Sequence, residues 1–194
     1  MNLQKICIIG DGLAGLSAAV ILSKENIKID LYTGSNLKNL KDDDRTTAIS
    51  ESSYQFIKKK FNIKKKNIFW ECKEIKLFYE DKKIINNFLN FKEKKKNLMY
   101  IFKNKKLKIE LGKQTKKRKN IKLIEKNITK IDYSNGSVLI KKNKFFYDLI
   151  ILSTGRQSML YNNITHGRLI EKNYKEKALT ATIKHNSRIN NVSQ

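Results

Sequence analysis

Lys5-Ile6-Cys7-Ile8-Ile9-Gly10-Asp11-Gly12-Leu13-Ala14-Gly15 decides the fold. Its first five residues are an apolar run rich in β-branched side chains, the pattern of a strand buried on both faces of a parallel sheet. Leu16 to Lys24, rich in Ala and Leu, reads as a helix. Ile27 to Tyr32 returns to strand-like alternation and stops at Thr33-Gly34. The pieces make a βαβ unit of about 30 residues. Gly10-x-Gly12-x-x-Gly15 thus follows a strand and opens a helix, the context in which this spacing binds a dinucleotide. The first glycine permits the tight turn, the second lets diphosphate approach the backbone, and the third lets helix and strand pack closely. The helix N-terminus adds unpaired N–H groups and about half a positive charge.

The rest of the fingerprint departs from the rule. An acid for the ribose is expected about 20 residues on. Thr33 stands there instead, and Asp30 lies on the opposite pleat face. Thr33 offers one neutral hydrogen bond where a carboxylate would make a charge-assisted one, roughly twice as strong. The stretch from Ile6 to Leu22 is apolar enough to suggest a signal peptide or a membrane span. Three glycines and Asp11 in its middle, with no small-residue cleavage pattern after it, argue against both.

Composition excludes several classes. The formal net charge is +24, with 42 basic residues over the 194, and 40% of residues are hydrophobic, which argues against wholesale disorder. Only five of the basic residues are arginine; Lys, Ile and Asn dominate and proline is absent. That is the profile of AT-rich codon drift, which spreads lysine over every solvated face. Nucleic-acid readers favour arginine forks and aromatics on one patch, so no specific nucleic-acid partner is expected. Adhesion to anionic surfaces, lipid included, is expected at low salt. Cys7 and Cys72 cannot build a disulfide framework, and His166 and His185 lack a metal-binding spacing, so no metal site is expected.

Further along, Ala48 to Lys60 reads as a helix with Ile49, Tyr54, Phe56 and Ile57 as its apolar positions. Ile75 to Tyr79 and Ile84 to Phe91 read as strands, and Leu98 to Phe102 leads into a helix carrying Leu107 and Leu111. After Lys119 the texture is β: Ile121 to Ile124, Ile128 to Tyr133, Val138 to Lys141 and Phe145 to Ser153, with a turn at Asn135-Gly136. Leu179, Ala181 and Ile183 alternate with polar residues as a last strand within Lys172 to Asn186.

Four segments carry a resemblance, the last of them Lys172 to Asn186, which looks like the first strand of a substrate domain. Asp44-Arg45-Thr46-Thr47-Ala48-Ile49 resembles the D-x-R-x-x-A-[IL] motif of class A FAD-dependent monooxygenases, in the ubiquinone-biosynthesis hydroxylase branch, relatives of para-hydroxybenzoate hydroxylase. Tyr100-Ile101-Phe102-Lys103-Asn104 is similar to that branch's entry into its long helix, and Asp148 to Ser158 is similar to its D-L-(apolar)-x-A-D-G-x-x-S motif. The resemblance implies roles. Gly10, Gly12, Ala14 and Gly15 would face the ADP diphosphate. Arg45 would sit by the flavin and its diphosphate, or else be a surface arginine beside Asp42 to Asp44. Asn104 would hydrogen-bond the cofactor, or else cap a helix. Ile128 would pack near the adenine, or be plain core. Thr154 and Gly155 would stand at the second motif, where the family has Asp and Gly; Tyr161 replaces its arginine.

The resemblance implies an α/β fold: an FAD-binding Rossmann-like βαβ domain with an inserted β-hairpin, plus the incomplete start of a β-sheet substrate domain. The boundaries would be 1–70 for the FAD-binding βαβ and following helix, 71–97 for the insertion, 98–160 for the FAD-binding domain continued, and 161–194 for the start of the substrate domain. It implies FAD as cofactor, NAD(P)H as reductant and a flavin hydroperoxide mechanism on an aromatic ring, a small aromatic or prenylated phenol. No catalytic side chain is assigned. The place would be cytoplasmic, with peripheral association at the inner face of the membrane. The family's second Gly-Asp motif is missing, so the chain is expected to be the N-terminal part of a hydroxylase, either a truncated sequence or one partner of a split gene with a complementing C-terminal half, and to be inactive alone. Two other readings stand beside it: another FAD-dependent oxidoreductase, such as a reductase acting on prenyl chains, and a non-enzymatic basic module binding nucleic acid or a membrane surface. A flavin absorption spectrum separates the enzymes from the module.

Overall fold

The computed structural model describes residues 3–34, 45–63, 68–155, 158–161, 172 and 191–193. In chain order β1 (Lys5–Ile9), α1 (Leu13–Leu22) and β2 (Lys28–Tyr32) make the expected βαβ unit. Next come β3 (Thr46–Ile49), α2 (Glu51–Phe61), β4 (Phe69–Cys72), β5 (Glu74–Asp81) and β6 (Ile84–Lys92). β7 (Met99–Lys103) runs straight into α3 (Asn104–Lys116). The remaining described elements are strands: β8 (Ile121–Ile124), β9 (Lys130–Asp132), β10 (Ser137–Ile140), β11 (Asn143–Phe146), β12 (Leu149–Leu152) and β13 (Val192–Ser193).

A parallel sheet of order β12-β1-β2-β8 forms the centre. Its strands are mostly apolar because both faces are covered. Ile6, Ile8, Ile29 and Leu31 pack with Leu16 and Val20 of α1 and with Leu107 and Leu111 of α3. Cys7, Ile9 and Tyr32 turn the other way, onto Ile131, Val138 and Ile140 of the antiparallel sheet β11-β10-β9. The class is therefore α/β with a Rossmann-type parallel sheet. Two smaller antiparallel groupings accompany it: β3-β7-β4, and the β5–β6 hairpin with β13 along its edge. Among the described residues no helix is long and apolar enough to cross a membrane.

Several boundaries differ from the sequence reading. Ala48 and Ile49 belong to a strand rather than a helix, paired with Ile101 and Tyr100 of β7. The helix starts only after Ser50, whose side chain accepts from Ser53 N at 3.3 Å as an N-cap. Phe56, expected on the apolar face of that helix, is exposed. Phe145 to Ser153 is two strands in two sheets. The break lies at Tyr147 and Asp148, where Tyr147 N donates to Gly136 O and Asp148 N to Lys5 O, each at 2.9 Å. The turn at Asn135-Gly136 is present, and Asp132 ties it by accepting from Ser134 Oγ at 2.6 Å and Asn135 Nδ2 at 2.8 Å. Those bonds, with Lys144 alongside, hold the Asp132 carboxyl down at about 2. The strand expected within Lys172 to Asn186 lies outside the described residues, Lys172 excepted.

Gly112 sits inside α3, and a Cβ added there would meet nothing within 4 Å. No close approach requires a glycine, so it costs helix stability without return. Gly112→Ala is expected to stabilise the protein by about 0.5–1 kcal/mol, read as a raised urea midpoint at unchanged m-value. A lowered midpoint would mean that something else fills that space.

Candidate dinucleotide site

The site begins where β1 ends. Gly10 has φ +108, and its N donates to Tyr32 O at 2.9 Å, which joins the loop to the end of β2. A Cβ on Gly10 would lie 2.5 Å from Ser153 O. A Cβ on Gly15 would collide with Gly10 O and lie 2.6 Å from Ser153 Oγ. Ser153, just past β12, fastens the loop from the other side: its hydroxyl proton is shared between Ile9 O at 2.9 Å and Gly10 O at 3.3 Å. Gly12 is different. A Cβ there would find only Ser153 O, at 3.9 Å. The backbone around Gly12 is open to a ligand, whereas the outer two glycines are shut in by the protein.

Gly12 is the N-cap of α1, with no side-chain hydrogen bond to the helix end and no acid in the first turn. Such a terminus favours an anion. The neighbouring carboxylate of Asp11 is paired with Lys108 of α3, Oδ2 to Nζ at 3.1 Å. That pair, which the sequence reading missed, offsets the charge that would repel a diphosphate.

A cleft of about 520 Å³ opens beside the loop, at the C-terminal edge of the parallel sheet. Ile9, Gly10, Tyr32, Ile128, Thr154 and Leu160 line it, with Lys126 and Asn127 among its polar neighbours and no carboxylate among the described residues. Ile128 lines the cleft while packing with Cys7 and Ile131. Thr154 Oγ1 is buried without a hydrogen-bond partner, a hydroxyl that a bound polar group would satisfy. An open glycine cradle, an uncapped helix end and this orphaned hydroxyl fit the ADP half of a dinucleotide.

The structure brings Gly10, Gly12, Ala14, Gly15, Ile128, Thr154 and Gly155 to this edge, while Thr33, Arg45 and Asn104 are not among the residues that line the cleft. Thr33 is 0% exposed, and its Oγ1 also lacks a partner. It lines a separate space of about 280 Å³, with Leu16 of α1, Gly112 of α3 and Leu123 of β8, rather than the cleft. Arg45 and Asn104 meet each other: Asn104 N donates to Arg45 O at 3.0 Å, and Thr47 Oγ1 donates to Asn104 Oδ1 at 2.6 Å. Lys103, not Asn104, is the N-cap of α3. Asp30 is engaged inside the fold, accepting from Tyr147 OH at 2.7 Å and paired with Lys5 Nζ at 3.0 Å. Among the described residues no group of three or more His, Cys, Asp or Glu could hold a metal ion.

The glycine loop, the parallel sheet and the cleft at its edge define a Rossmann-type dinucleotide-binding domain. The chain belongs to the pyridine nucleotide-disulphide oxidoreductase family, whose sequence pattern matches residues 4–192. No curated protein matches it. Solved structures do. CtdE in complex with FAD aligns with a TM-score of 0.62 at 17% identity, over 83% of this chain and 40% of its own. PqsL from Pseudomonas aeruginosa, assigned as an FAD-dependent monooxygenase, gives 0.70 at 8% identity, over 89% of this chain and 48% of its own. p-Nitrophenol 4-monooxygenase PnpA from Pseudomonas putida gives 0.65 at 12% identity, over 84% and 43%. The chain thus spans less than half the length of these structures.

Proposed function

We propose that this chain is the FAD-binding part of a flavin-dependent monooxygenase that hydroxylates an aromatic ring, with NAD(P)H as reductant and O₂ as oxidant. The observation that carries the reading is the contrast within the glycine loop: protein closes on Gly10 and Gly15 and leaves Gly12 open beside an uncapped helix end. FAD would supply the redox and oxygen chemistry. This chain's residues would do the holding: the Gly12 backbone and α1 take the diphosphate, Lys108 neutralises Asp11, and Ile128 and Thr154 receive the adenosine.

The cysteines favour oxygenation over disulfide chemistry. A dithiol mechanism needs two sulfurs within bonding reach and at least one accessible thiolate. Cys7 is buried in β1, where burial, with the Asp30 charge adding to it, pushes its thiol up to about 12. Cys72 is buried in β4, its thiol directed at Glu74 O at 3.2 Å. Neither is poised to react.

The finer substrate reading, a polyprenyl phenol of ubiquinone biosynthesis, rests on the Arg45, Asn104 and Asp148 segments. A complementing segment would supply the rest of the substrate sheet, and a hydrophobic substrate would bring the assembly to the membrane surface. The first test is an absorption spectrum of the chain after incubation with FAD and desalting. Retained flavin bands are expected, with FMN, which lacks adenosine, washed away. A chain that retains neither overturns the reading. Oxygen uptake with NADPH and a prenylated phenol is expected only when the complementing segment is present.

A further inference from the structure

The end of β2 carries a reversal of charge. A dinucleotide fold ordinarily has an acid there, whose carboxylate accepts from the 2′-hydroxyl of the adenosine ribose and repels a phosphate on that oxygen. Here Thr33 holds the place and turns its side chain toward Leu16 and Leu123, away from the cleft. Gly34 comes next, lines the cleft and brings no side chain. The groups beside it come from the segment after β8. Thr33 N and Lys126 N both donate to Ile124 O, at 3.0 Å each, so one carbonyl ties the end of β2 to that segment. Asn127 follows, and a Cβ on Gly34 would lie 3.5 Å from Asn127 Oδ1. Gly34, Lys126 and Asn127 are all exposed, and all three line the cleft.

The carboxylates close by in sequence do not restore the missing acid. Asp30 is engaged by Tyr147 and Lys5. Glu125 borders a separate space with Ile140 and Phe145, and Lys126 borders both that space and the cleft. An ammonium and an amide in place of a carboxylate change what the ribose can carry. A bare 2′-hydroxyl gains no carboxylate acceptor from them. A 2′-phosphate, with about −1.5 to −2 of charge, gains a charge-assisted bond from Lys126 Nζ and a donor in Asn127 Nδ2. Among the described residues lining the cleft it meets no carboxylate. Lysine is abundant over the whole surface, and charge alone would not single out Lys126. Its tie through Ile124 O to the strand end where the ribose is read does so.

We propose that Lys126 and Asn127 set the ribose specificity of this cleft, so that it takes a 2′-phosphorylated adenosine nucleotide, of which NADP(H) is one, in preference to a bare one. The assignment rests on the dinucleotide reading of the cleft. FAD, whose ribose carries no phosphate, then competes with NADP(H) for the apo chain. Calorimetric titration of the full chain tests it with NAD⁺ and NADP⁺, which differ only in the 2′-phosphate, and with FAD. NADP⁺ is expected to bind about fivefold tighter than NAD⁺ at low salt, as for an exposed ion pair, with the gap closing as salt rises. Lys126→Ala should erase the gap. Lys122→Ala, the same change of charge on β8 but outside the cleft, should leave it. Asn127→Asp should reverse it, favouring NAD⁺ and keeping FAD at least as tight as wild type. Adenosine 2′,5′-bisphosphate should bind tighter than its 3′,5′ isomer. Equal affinity for NAD⁺ and NADP⁺, equal affinity for the two isomers, or an equal effect of Lys122→Ala would each overturn the assignment while FAD binding kept the cleft a dinucleotide site. If wild-type protein binds none of these nucleotides, the dinucleotide reading itself falls, and this assignment with it.

Discussion

Gly12→Val is expected to abolish FAD retention while leaving the fold intact, and Gly15→Ala to lose both. The two positions are three residues apart in one loop, and only the space around them differs. At Gly12 a new Cβ has 3.9 Å to its nearest protein atom, and the backbone is already extended at φ −66, ψ 177. A valine fits the protein there. Its methyl groups occupy the ground where a diphosphate must approach the helix end, so affinity should drop by at least about a hundredfold. At Gly15 the smallest possible side chain collides with the Gly10 carbonyl and crowds Ser153 Oγ at 2.6 Å. Neither the loop nor β12 can move without breaking the Ser153 bonds to Ile9 and Gly10. A cost of more than about 3 kcal/mol is expected, among the largest for a single substitution. Urea unfolding with flavin titration reads both effects. Equal loss of stability at the two positions would mean that the loop has no cavity set aside for a ligand.

The second large effect concerns the β5–β6 hairpin. Pairing puts Leu77 opposite Leu89, and a bulge at Leu77 and Phe78 brings Phe88 to the same face, its ring 5.9 Å from Tyr79. Ile84 is 64% exposed, Phe88 58% and Phe91 47%. Large side chains bury roughly 150–250 Å² each. Half of that, at about 25 cal/mol per Å², is worth roughly 2–3 kcal/mol per residue. The chain alone is therefore expected to self-associate at physiological salt, where a Debye length of about 8 Å screens much of its positive charge. The triple variant Ile84→Ser, Phe88→Ser, Phe91→Ser is expected to be monomeric, with FAD affinity unchanged because none of the three lines the cleft. Sedimentation velocity decides: a monodisperse wild-type monomer would overturn the expectation.

The βαβ unit was legible because its signals are dense. Four consecutive apolar residues, three spaced glycines and an Ala-rich helix all point one way, and the three glycines stand in three distinct steric environments. The strand boundaries were less legible because proline, the strongest punctuation a chain carries, is absent. Nothing at Tyr147-Asp148 marks the break between β11 and β12; it is made by hydrogen bonds to Gly136 and Lys5, far away in sequence. Ala48 and Ile49 suit helix or strand equally, and pairing with β7 chose strand. β4, four residues without alternation, gave no period to read. In the site, the spacing to Thr33 was right in register, but the pleat carries that side chain to the helix layer. Tyr32, one residue earlier, turns into the opposite buried layer, and its hydroxyl partner lies 115 residues on.

Ser153 reaches back 144 residues to seize Ile9. At translation speeds of 5–20 residues per second, the loop it braces must wait on the order of ten seconds after β1 emerges before its clasp exists. During that time β1 has an open edge on the side β12 will occupy, and the glycine turn has nothing to press against. The nascent protein therefore cannot gain stability from binding its nucleotide early. Until then its most apolar strand depends on whatever chaperone the ribosome exit offers, and its ligand can rescue it only after Ser153 has emerged.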